Sequence, residues 1–77
     1  MSVNSYVAFN GYRGKNVKPK EITALLLYSR DATNDYIAKR IGVEPESVYK
    51  ILGRLRNKLG AYSNTNAYVK AKRLGLL

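Results

Sequence analysis

Lys50 and Arg54 stand four residues apart in "PESVYKILGRLRNKL", with Glu46, Tyr49, Gly53 and Asn57 at the spacings a helix brings to one side. Residues at i, i+3, i+4 and i+7 share a helical face. This set is rich in groups that meet nucleic acid. A lysine or arginine donates to guanine or to phosphate, and an asparagine pairs with adenine or backbone. Tyr49 offers a hydroxyl and a flat ring for a thymine methyl or a sugar. Gly53 costs a helix roughly 1 kcal/mol against alanine. On this side it would remove bulk and let the helix sit deep in a groove. Close packing inside the fold, or neutral drift, would explain the glycine equally well.

With Val48 as origin and about 100° per residue, Ile51, Leu52, Leu55 and Leu59 gather as an apolar stripe on the opposite side. After Glu46 the chain has no further acid, while Lys50, Arg54, Arg56, Lys58, Lys70, Lys72 and Arg73 follow. Fourteen Lys/Arg against five Asp/Glu leave a net charge of +9 on 77 residues. So strong a balance on one small domain points to a polyanion: nucleic acid first, an anionic membrane second. A merely solvated basic surface is the plain alternative.

Other chemistry is sparsely provided for. There is no cysteine and no histidine, which excludes disulfides, thiolate zinc sites and histidine acid–base catalysis. The five acids all lie between Glu21 and Glu46 and form no evident convergent pair. No enzyme, no metal and no cofactor is therefore expected. The longest apolar run, "ALLLY", is far too short to span a bilayer. The N-terminus lacks a basic-then-apolar signal pattern. The expected location is cytoplasmic, nucleoid-associated, with no membrane partner.

The elements that must position these residues are all helical. Pro19 suits the first position of a helix, and Ile22, Leu25, Leu26 and Ser29 would form its inward face, with Leu27 at the margin. Thr33 is a candidate N-cap for "NDYIAKRI", which Gly42 ends. Pro45 restarts the chain, and Gly60 closes the third helix after Leu59. Ser63 or Asn64 can cap a fourth helix running to about Leu74. Residues 1–18 carry Arg13, Lys15 and Lys18 without an acid and form a short, partly ordered N-terminal arm. The arm could reach a DNA backbone, pack Tyr6 and Phe9 on the domain, or be a plain tail.

Ile37, Ala38, Ile41, Val43, Val48 and Ile51 are apolar or small around Gly42. Ala38 must be small where one helix crosses close over another, and Gly42 can take the positive φ of a tight turn. This is the pattern of a helix-turn-helix, although a generic helical hairpin shares part of it. In that arrangement Glu46, Tyr49, Lys50, Gly53 and Arg54 are the candidates for reading bases. Thr33, Asn34, Ser47, Asn57 and Lys58 are the candidates for phosphate contact. On the fourth helix Ala67, Ala71 and Leu74 should face the domain. Thr65, Val69 and Lys72 face outward as a candidate dimer contact, weakened by Lys72 and Arg73 meeting their symmetry mates.

The stretch from "PKEITALLL" through "TNDYIAKRI" and "SVYKILGRLRNKLGA" to "NAYVKAKRLGLL" resembles the LuxR-type (GerE-like) helix-turn-helix domain of bacterial regulators. It covers about residues 19–77. The Lys-Leu-Gly at 58–60 and the final Ala-x-x-x-Gly-Leu-Leu are its most specific parts. The resemblance implies an all-α, four-helix domain with helix three in the major groove and helix four at a two-fold interface. Tyr49, Ile51 and Asn64 depart from the family's usual lysine, histidine and arginine, so the operator sequence does not carry over.

Family members usually carry an upstream sensing domain, for which eighteen residues are too few. A stand-alone member, bacterial or borne by a phage or plasmid, is the expectation. Its expected partners are double-stranded DNA and a second copy, with another transcription regulator or RNA polymerase as further candidates. The competing expectation is an interaction module that pairs with and blocks a related regulator; such a decoy need not keep a basic reading face. The promoter-reading domain of sigma factors shares "IAKRIGVEPESVYKILGRLRNKL" but not the Gly-Leu-Leu ending.

Overall fold

Two prolines and a set of capping residues fix where the helices begin and end. A computed structural model describes residues 17–77 and shows four α-helices in chain order, with no strand among the described residues. They are α1 (Pro19–Ser29), α2 (Asn34–Ile41), α3 (Pro45–Leu59) and α4 (Asn64–Arg73). Pro19 and Pro45 occupy first turns, where a missing N–H costs nothing. The Thr33 hydroxyl accepts from the Tyr36 amide at 3.1 Å, and the Ser63 hydroxyl from the Asn66 amide at 3.0 Å. The two caps start α2 and α4.

The helix ends share one device. At the end of α4, the Leu76 amide donates to the Ala71 carbonyl at 2.9 Å and Gly75 to Lys72 at 3.1 Å. That pair of bonds is a Schellman motif, and it folds Leu76 and Leu77 back onto the core. The end of α1 is built the same way, but Asp31 rather than glycine holds the left-handed position, at φ 63°. Gly42, at φ 74°, ends α2, and residues 42–44 make the turn into α3. Its left-handed backbone is a conformation that a side chain would strain.

α1 and α3 are the central pair. Each packs on all three other helices, while α2 and α4 flank them and do not touch each other. The α3 stripe of Val48, Ile51, Leu52, Leu55 and Leu59 is buried. It meets Ile37, Ala38 and Ile41 from α2, Ala24 and Leu25 from α1, and Ala67 and Ala71 from α4. Each large apolar side chain enclosed in this way contributes roughly 1.5–3 kcal/mol. Ala38, Ala67 and Ala71 have almost no exposed surface, which lets the flanking helices lie close.

α1 corrects the expected face. Its buried residues are Glu21, Ala24 and Leu25, whereas Leu26 is half-buried and Ser29 is exposed, its hydroxyl donating to the Leu26 carbonyl at 2.6 Å. The stripe runs 21, 24, 25, 28, and an acid at its head and a half-exposed tyrosine at its foot disguise it. The helix turns this way because Glu21 must meet Lys58 of α3. The fourth helix stops at Arg73 with Leu74 as its cap, one residue short of the expected end. Val17 already packs on the core, ahead of α1. The expected arm lies outside the described residues up to position 16.

Candidate nucleic-acid interface

α3 presents its polar side away from the core. Glu46, Tyr49, Lys50, Arg54 and Asn57 are exposed, Tyr49 to 71%, and Gly53 lies among them half-buried. The base-reading candidates therefore share one accessible surface, as the helical spacing predicts. Among the described residues neither Lys50 nor Arg54 makes an ion pair, so both ammonium and guanidinium face solvent with their donors uncommitted. Glu46 sits in the first turn of α3, where a carboxylate favours the positive end of the helix dipole. It is the only acid on this face.

Gly53 has no internal reason to be glycine. A Cβ built there would come no nearer than 3.6 Å to a foreign atom, the Arg56 Nη2, which is an ordinary contact. The close-packing explanation therefore fails. What the missing side chain changes is the shape of the outward face, which is hollow between Tyr49, Lys50 and Arg54.

The phosphate candidates divide. Thr33 is exposed at the start of α2; its hydroxyl accepts one bond and keeps its proton to donate. Asn34 and Ser47 are half-buried, and Asn57 is exposed. Lys58 does not belong with them. Its ammonium bonds both oxygens of the Glu21 carboxylate, at 2.9 and 2.8 Å, in a pair whose side chains are only 18% and 6% exposed. Lys58 thus ties α3 to α1 rather than facing outward, because Glu21 would otherwise be a buried charge without a counter-ion. Glu21 also accepts the Lys18 amide at 2.9 Å, which pins the start of α1 to the same carboxylate.

Arg56 is likewise used within the fold, donating to the Asn64 side-chain oxygen at 2.6 Å and bracing the turn into α4. On α4, Lys70 donates to the Gly60 carbonyl at 2.8 Å, satisfying the end of α3. Thr65, Val69 and Lys72 are exposed as expected, Val69 to 37%, and the Lys72 ammonium lies 5.9 Å from the Tyr68 ring centre. Tyr28 from α1 borders this surface beside Thr65 and Tyr68.

Sequence spacing alone gave no sign of one grouping. Lys18, Pro19 and Lys20 at the start of α1 line a surface groove together with Ile51 and Arg54 of α3. Residues so distant along the chain carry no shared periodicity. Among the described residues, no group of three His, Cys, Asp or Glu could hold a metal ion, and no helix is long and apolar enough to cross a membrane.

Compared with models of known protein families, with curated proteins and with solved structures, the chain finds no match. The LuxR-type resemblance accordingly rests on the residues quoted for it alone.

Proposed function

We propose that the chain is a sequence-specific DNA-binding regulator of transcription that acts as a dimer, with α3 laid in the major groove. In this reading Glu46, Tyr49, Lys50, Gly53 and Arg54 meet base edges. Thr33, Asn34, Ser47 and Asn57 hold the flanking phosphates. The carrying observation is the outward face of α3: exposed, almost free of acid, and hollowed at its middle by a glycine that packing does not require. An α-helix fits the width of the major groove, and a missing side chain lets its axis approach the base edges. A merely solvated basic face would gain nothing from a helix-weakening glycine. Such a regulator would work in the cytoplasm, on the nucleoid.

Binding should be steeply salt-dependent. If a dimer neutralises on the order of six to ten phosphates, log K falls with log salt at about −0.9 per contact, losing roughly 10³–10⁵ in affinity between 50 and 200 mM salt. Gel retardation across that range checks this. A flat response removes DNA as the partner and leaves the pairing-and-blocking module as the better reading.

The second copy would meet α4 through Thr65, Val69 and Lys72, since a two-fold contact needs a self-complementary patch. Val69→Asp should leave the helical fold intact and weaken binding to a two-half-site duplex far more than to a single half-site. Equal binding to both would show that α4 is not the contact.

A further inference from the structure

The groove beside α3 has a distinct electrostatic make-up. Its floor holds Glu21 and Ile51, both buried, and its banks carry Lys18 and Lys20 from α1 and Arg54 from α3, all exposed. The single acid in it is already matched by Lys58 and by the Lys18 amide. None of the three bank cations makes an ion pair among the described residues. The groove therefore keeps a cationic rim, and one of its members, Arg54, also stands on the outward face of α3.

The backbone at this point is firmly held. Lys18 is anchored through its amide to Glu21, and Val17 packs on the core, so the two lysines are fixed relative to α3. Position also favours an anion here, since the positive end of the α1 dipole lies at Pro19. The chain that leads to Val17 continues the same sign, adding Arg13 and Lys15 and no acid over residues 1–16. Cations on a rigid bank, contiguous with a helix that fits a major groove, meet the sugar–phosphate backbone forming the groove's edge.

We infer that Lys18 and Lys20 form a second duplex contact, gripping the phosphodiester backbone alongside the strand that α3 reads, with Arg54 joining the two surfaces. This inference rests on the DNA-binding reading and extends it from α3 to the start of α1. Glu21 is its positioning residue, because one carboxylate holds both the Lys18 backbone and, through Lys58, the end of α3. The contact carries no sequence information; it sets orientation and adds affinity.

The test is a salt titration of the full chain on a random-sequence 30-base-pair duplex, comparing wild type with Lys18→Gln/Lys20→Gln. A charge-matched control, Lys39→Gln/Arg73→Gln, removes two exposed cations elsewhere. Far-ultraviolet circular dichroism melting checks that all three proteins are equally folded. The inference predicts that the slope of log K against log salt becomes shallower by about two in Lys18→Gln/Lys20→Gln, near 0.9 per lost contact. The control should keep the wild-type slope. A steep wild-type slope that the Lys18/Lys20 variant shares, or that the control reduces as much, overturns this inference and leaves the DNA reading intact. A flat wild-type slope overturns both.

Discussion

The four cations of α3 fall into two pairs that behave oppositely. Lys50 and Arg54 are exposed and make no ion pair among the described residues, while Arg56 and Lys58, one turn further on, are bonded to Asn64 and Glu21. All four look alike in the sequence. The difference shows that a basic helix is not uniformly an interface: the outward pair is available to a partner, and the inner pair holds the helix in place. The cations of α4 make the same point, with Lys70 already spent on the Gly60 carbonyl.

The largest expected effect breaks the inner pair. Lys58→Ala leaves the Glu21 carboxylate, 5% exposed as a residue, with only the Lys18 amide beside it. The loss should be about 2 kcal/mol of stability, below the roughly 3–5 kcal/mol of a fully enclosed pair. Urea unfolding measures it. The salt slope of DNA binding should not change, and a slope reduced by about one would return Lys58 to the phosphate contacts.

A smaller effect sharpens the outward pair by filling the space between its members. Gly53→Ala adds a methyl at ordinary contact distance, 3.6 Å from Arg56 Nη2, and should stabilise the domain by about 0.5–1 kcal/mol. Thermal melting would show it as a rise of several degrees. The same methyl stands on the reading face and should weaken specific DNA binding. A destabilised Gly53→Ala would mean that the fold, not a partner, requires the glycine.

The sequence is most legible where local chemistry is sufficient. Pro19, Pro45, Thr33, Ser63, Gly42 and Gly60 mark the helix limits through first-turn, cap and turn preferences that act within a few residues. The α3 stripe is uninterrupted, so rotation by about 100° per residue places Tyr49, Lys50 and Arg54 outward correctly. Tertiary pairing is less legible. Glu21 and Lys58 are 37 residues apart, and nothing periodic links them. Their bond turns α1 so that Glu21 and Ala24 go inward and Ser29 outward, against the apolar pattern. It also brings Lys18 and Lys20 alongside Arg54, a grouping that exists only after the chain has folded.

The most direct test of the division on α3 is one variant with two readouts. Lys50→Ala/Arg54→Ala should melt within about 0.5 kcal/mol of wild type, as exposed substitutions away from packing do. Wild type should retard DNA from upstream of its own coding sequence in preference to scrambled DNA, and the variant should lose that preference, each base contact being worth about 1–3 kcal/mol. A variant that keeps the preference, or that loses it only because it unfolds, would contradict the assignment of the outward pair to DNA.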